Sequence, residues 1–155
     1  GIYGFSPQEF SFVFAFVGIG MMFFGKLTNI LTGRVPDSKL LFLGLCQGSF
    51  FGILFLIGVL LDFNIYILIA LLLLSETSLA ITASTSFSLA MQSQKKVAGS
   101  ASALLGFFSN ISGSLIAPIV GIGGGTTAVP TALVIALAEL IALGIFIFVT
   151  KKHLN

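Results

Sequence analysis

Two carboxylic acids, Glu76 and Glu139, stand inside long stretches that carry no other charge. A charged side chain at the centre of a lipid-spanning helix costs at least ~2.5–3.5 kcal/mol. No basic residue in the chain stands at matching depth to pair with either acid. Each must therefore be held neutral or find its partner elsewhere. A carboxyl whose charge depends on its access to water is suited to relaying protons; the plainer reading is a protonated packing residue. Around Glu76 the same segment carries Ser75, Thr77, Ser78, Thr82, Ser84, Thr85, Ser86 and Ser88, polar around its whole circumference. Such hydroxyls either bond back to their own helix or form one wall of a hydrated substrate path. Gln47 and Asn110 are amides in apolar surroundings, read as ties between helices or as substrate ligands.

The elements that carry these residues are apolar runs as long as a bilayer is thick. Of 155 residues, 57% are hydrophobic and only 8% charged, against roughly 25% charged in a soluble domain. Twelve charged residues cannot cover a water-soluble fold of this size, which excludes a soluble enzyme, a nucleic-acid binder and a disordered tail. Five segments, about 7–31, 40–61, 65–91, 98–122 and 128–150, each supply the roughly 20 residues that a spanning helix needs. Unbroken runs of this length lack the alternation of barrel strands. The expected fold is an all-α membrane protein of five transmembrane helices in one unit, residues 1–155.

The breaks between segments carry fitting punctuation. Ser6-Pro7-Gln8-Glu9 reads as a capping box with proline at the first helical position. Gly33 to Lys39, Asp62-Phe63-Asn64, Gln92 to Lys96 and Gly123 to Thr127 read as turns, with Pro130 in the first turn of the last helix. Lys26, Arg34, Lys39, Lys95, Lys96, Lys151 and Lys152 then all fall on one side of the membrane, while the other side holds Glu9 and Asp62. Cationic loops mark the cytoplasmic face, so the N-terminus is expected outside and the C-terminus in the cytoplasm. Lys26 is expected to snorkel to the cytoplasmic headgroups.

Small residues recur at packing spacing. Gly44, Gly48 and Gly52 form a double GxxxG on the second helix; Gly113, Ala117 and Gly121 repeat it on the fourth, with Gly106 on roughly the same face. Lipid gives helices no hydrophobic reason to associate, so close backbone approach must supply the dispersion contacts. These faces are expected to pack tightly or to slide during a cycle. Pro118 removes a backbone hydrogen bond and predicts a kink in the fourth helix. Other signals are weak. Asn110-Ile111-Ser112 matches a glycosylation acceptor but lies in the membrane. The run from Gly121 to Thr126 lacks the last glycine of a dinucleotide loop and follows no strand. Cys46 and His153 are each alone, so no disulfide, metal centre or other cofactor is expected.

Ala98-Gly99-Ser100-Ala101-Ser102-Ala103-Leu104-Leu105-Gly106-Phe107-Phe108, continuing through Leu115-Ile116-Ala117-Pro118-Ile119-Val120-Gly121, resembles the eleventh helix of major facilitator superfamily drug:proton antiporters of the Bcr/CflA (bicyclomycin/chloramphenicol resistance) type. Tyr3 to Phe10 resembles the approach to that branch's eighth helix. Gly25, Asn29 and Arg34 are similar to a worn second copy of the superfamily's cytoplasmic loop, and Gly113-x-x-x-Ala117-Pro118-x-x-Gly121 to the antiporter Gly-Pro motif. The resemblance covers essentially the whole chain. It implies helices eight to twelve of a twelve-helix exporter of the bacterial inner membrane, antiporting protons against a small lipophilic compound and requiring an N-terminal half beyond this chain. Glu76 and Glu139 match no motif of the family, and the Pro-Asn expected late in the tenth helix is Ser84-Thr85. The expected pathway residues are Glu76, Glu139, Asn110, Gln47, Thr82, Ser84 and Thr85. The alternatives are a complete five-helix assembly subunit and a channel-like pore with Glu76 facing water. The expected surroundings are the lipid bilayer, with no nucleic acid.

Overall fold

In the computed structural model, which describes residues 6–31, 34–92, 97–121 and 127–154, the chain forms five α-helices and no strand among those residues. They are α1 (Pro7–Leu31), α2 (Asp37–Leu60), α3 (Ile65–Gln92), α4 (Ala98–Gly121) and α5 (Val129–Leu154). Each is long and apolar enough to cross a membrane. The expected residues Tyr3, Gly4, Phe5, Gly33, Lys95, Lys96 and those from Ile122 to Thr126 lie outside the described residues.

The ends follow from local hydrogen bonding. Ser6 Oγ accepts from the Glu9 amide at 3.3 Å, and Glu9 Oε2 accepts from the Ser6 amide at 2.8 Å, closing the expected capping box. The α2–α3 turn closes as a Schellman motif: the Phe63 amide bonds Gly58 O at 2.9 Å and the Asp62 amide bonds Val59 O at 3.4 Å. Asp62 takes the left-handed φ of 50° that this cap requires, a conformation aspartate tolerates better than most residues. Asn64 Oδ1 then accepts from the Tyr66 amide at 3.0 Å and starts α3.

Two boundaries differ by more than one residue from those read off hydropathy. α2 begins at Asp37 rather than Leu40, and α5 continues through Lys151 to Leu154 rather than stopping at Thr150. Hydropathy marks where the chain can meet lipid, whereas the backbone ladder runs on into polar residues. Pro118 lies inside α4, in its last described turn.

α2 is the centre of the bundle. It packs antiparallel on α3 along its whole length and antiparallel on α5; α1 packs on α3. The register is visible in side-chain pairs: Gly44 meets Ile81 and Thr82, Gly58 meets Leu68, Gly52 meets Ala136, and the Phe42 and Phe146 rings lie 5.9 Å apart. A Cβ at Gly44 would stand 3.0 Å from Ile81 Cγ2 and Thr82 Cγ2, so the expected small-residue seam of α2 is where α3 closes on it. At the end bearing the Asp62 turn, Phe55, Val59, Leu68 and Ala132 form an apolar cluster.

α4 does not pack as its glycines suggest. None of its residues is buried, and nothing lies within 4 Å of where a Cβ would stand at Gly106, Gly113 or Gly121; Ala117 is also exposed. The reason is that α4 touches α3 and α5 only loosely, so among the described residues its small-residue face meets no other helix. The outward faces of α1, with Phe12, Phe14, Phe16, Met22 and Phe23 largely exposed, have the greasy surface that lipid requires.

A polar seam between three helices as the candidate functional site

Away from the apolar cluster, the α2–α3–α5 seam becomes polar. Ser49, Ser75, Thr77 and Ser78 are buried there, brought together by the antiparallel register. Gln47 Nε2 donates across the α2–α3 interface to Leu74 O at 3.2 Å and to Thr77 Oγ1 at 3.0 Å. Thr77 Oγ1 donates its own hydrogen to Leu74 O at 2.8 Å. One amide thus ties two helices by a carbonyl and a hydroxyl that are already bonded to each other, a closed arrangement suited to a medium without water.

At the next residue of α3, Ser78 Oγ stands 2.6 Å from Ser75 O and 2.9 Å from Glu139 Oε1. Ser49 Oγ donates to the Glu139 backbone oxygen at 3.2 Å, fixing α5 against α2 at the residue that bears the carboxyl. Glu139 is half-buried, as is Glu76, which lies within electrostatic range of it. Glu139 also lines a cleft of about 700 Å³ between α2, α3, α4 and α5, whose other polar lining comes from Thr82, Ser86 and Ser109. Among the described residues no hydrogen bond reaches the Glu76 carboxyl and no cation pairs with either acid.

The remaining expected pathway residues divide. Thr82, Ser84 and Thr85 donate to carbonyls one turn back, Ser78 O at 3.0 Å, Ala80 O at 3.0 Å and Ile81 O at 2.7 Å respectively. The internal bonding of hydroxyls is therefore what α3 displays along this stretch. Asn110 is exposed on α4 and its Nδ2 bonds Gly106 O at 2.8 Å, so the structure does not bring it to the seam.

Sequence reasoning passed over a second polar tie. At the opposite end of the hairpin from the Asp62 turn, Asp37 Oδ2 accepts from Ser88 Oγ at 2.6 Å and from Gln92 Nε2 at 3.2 Å. The signal was present. A turn as short as Asp62-Phe63-Asn64 forces residues equally distant from it to face each other, which sets Gln47 opposite Thr77 and Asp37 opposite Ser88.

Five spanning helices with a buried polar seam define an integral membrane protein of the all-α class. The chain is similar to an uncharacterized MFS-type transporter, YdgK, of Bacillus subtilis (strain 168), with 29% identity over 154 residues that take in 99% of this chain and 38% of that protein. The chain thus spans about two-fifths of the length of the curated relative it matches. No family model and no solved structure matches it. The likeness is to an MFS-type transporter in general and does not reach the Bcr/CflA branch.

Proposed function

We propose that this chain is the C-terminal part of a proton-coupled secondary transporter that exports small lipophilic compounds across a bacterial inner membrane, with its N-terminus outside and its C-terminus in the cytoplasm. Two bundles rock about a midplane site to give alternating access. The other bundle is supplied by an N-terminal half beyond this chain, and α3 forms one wall of the hydrated path. The observation that carries the reading is the polar seam: a carboxyl bonded to a buried hydroxyl, set among spanning helices of a chain similar along nearly all its length to an MFS-type transporter. A protonatable group in such a place is expensive to keep in lipid, and ion pathways are where membrane proteins keep them. The drug:proton branch follows from the resemblance of Ala98–Gly121 to the eleventh helix of that group.

The test is flux in proteoliposomes holding the complete transporter, with ethidium as the lipophilic probe and an imposed pH gradient. Expected is ethidium movement that stops when the gradient is collapsed, and none from the 155-residue chain alone. Steady single-channel currents without a gradient, or flux from this chain alone, would overturn the proposal.

A further inference from the structure

The contact between Ser78 and Glu139 carries a proton count. A serine hydroxyl has one hydrogen to give and lone pairs to accept with, yet Ser78 Oγ is within bonding distance of two oxygens, Ser75 O and Glu139 Oε1. The Ser75 carbonyl can only accept, and at 2.6 Å it is the nearer claimant on the hydroxyl hydrogen. The bond to Glu139 is then complete when the carboxyl brings its own hydrogen and donates to Ser78 Oγ. When the carboxyl loses that proton, Ser78 must turn its hydrogen from Ser75 O to the carboxylate, and the carbonyl gives up this bond. Both protonation states have a bonding pattern, and they differ by the rotation of one hydroxyl.

Gly48 keeps the space in which this happens. A Cβ at residue 48 would collide with Ser78 Oγ and with Glu139 Oε2, the second oxygen of the carboxyl to which that hydroxyl is bonded. A Cβ at Gly52, one turn away, would meet only ordinary contacts, the nearest at 3.5 Å from Ala136 Cα. The titratable group within reach of Glu139 is Glu76 on α3; among the described residues α2 and α4 present to it only uncharged residues, such as Leu41, Leu45, Gly48, Ser49 and Ser109.

We infer that Glu139, rather than Glu76, binds the exchangeable proton of this seam, with Ser78 as the hydroxyl that turns between Ser75 O and the carboxyl, and Gly48 as the positioning residue that leaves them room. The inference rests on the proton-coupled reading and names its proton site.

The test is pH-difference infrared spectroscopy of the intact chain in lipid nanodiscs, read at the C=O stretch of a protonated carboxyl. Expected is a titrating band that vanishes in Glu139→Gln and persists in Glu76→Gln and in Ser75→Ala, whose backbone carbonyl is retained. Ser78→Ala should move the band to the frequency of a less strongly bonded acid. It should also displace the titration midpoint by roughly one to two pH units, the effect of removing one hydrogen bond to a charged group. Gly48→Ala should displace the midpoint while Gly52→Ala does not. If Gly48→Ala fails to fold by circular dichroism, Ser78→Ala, which adds no atom, decides. A band lost in Glu76→Gln but kept in Glu139→Gln, the absence of any titrating band, or an unmoved band and midpoint in Ser78→Ala would overturn the inference. The measurement needs no substrate and no gradient, so its failure is distinct from a failure of transport.

Discussion

Gln47→Leu removes the amide that spans α2 and α3 while keeping an apolar side chain of similar reach. Two bonds are lost, to Leu74 O at 3.2 Å and to Thr77 Oγ1 at 3.0 Å. Side-chain bonds between helices in lipid average ~0.6 kcal/mol, with a ceiling near 1.7. The remaining groups decide where in that range the loss falls. Thr77 keeps its donor bond to Leu74 O at 2.8 Å, so no buried donor is orphaned, and the larger penalty of an unsatisfied group does not arise. The expected cost is therefore about 1 kcal/mol for both bonds together. Thr77→Val should behave differently. It leaves the Gln47 amide with one acceptor of its two, so its cost should exceed that of Gln47→Leu, and the two changes should couple by ~0.6 kcal/mol in a double-mutant cycle. Equilibrium unfolding by steric trapping in bicelles measures all four corners. A loss above about 3 kcal/mol for Gln47→Leu would mean that an orphaned polar group, not a missing bond, dominates; zero coupling would mean the tie does not hold in lipid.

Glu9 lies outside the span, and its carboxyl is held below the usual glutamate range by the Ser6 backbone amide and then the Ser6 hydroxyl. A depressed folded value means the contribution to α1 is present above the ordinary titration range and is lost as pH falls through the folded value; an NMR titration of the Glu9 carboxyl should show that low midpoint, and Ser6→Ala, which removes the hydroxyl but keeps the backbone amide, should raise it only part of the way back. Asp37→Ala removes the acceptor shared by Ser88 and Gln92, so spin labels at Ser38 and Leu89 should report a broader distance distribution, while labels near the Asp62 turn stay unchanged. Asn110→Ala deletes a bond within an exposed helix face and should alter stability by less than about 0.5 kcal/mol in the same unfolding assay. Cysteines placed at Lys39 and Lys151 should react with an impermeant maleimide only from the cytoplasmic side, and one at Asp62 only from the other; labelling of Lys39 and Lys151 from opposite sides would overturn the orientation.

The five spans, their order and the chemistry of their caps were legible in the chain because they rest on local causes. An apolar run long enough to cross lipid has no alternative to helix, and the capping box at Ser6 and Glu9 is set by residues three apart. Gln47 and the two acids were visible as anomalies for the same reason, since any polar group in such a run stands out. Their partners were not visible. Whether a hydroxyl bonds its own helix, as Thr82 and Thr85 do, or also reaches another helix, as Ser78 does, depends on which face the hairpin register turns inward, and every hydroxyl on α3 looks alike before that register is set. The glycine patterns on α2 and α4 are equally indistinguishable by spacing. Only the fold separates them: α3 closes on Gly44, Gly48 leaves room for a carboxyl from a helix some ninety residues away in the chain, and the face of Gly106, Gly113 and Gly121 meets nothing within 4 Å among the described residues. Spacing along one helix specifies a surface; what fills that surface is decided by the helices that come to lie beside it.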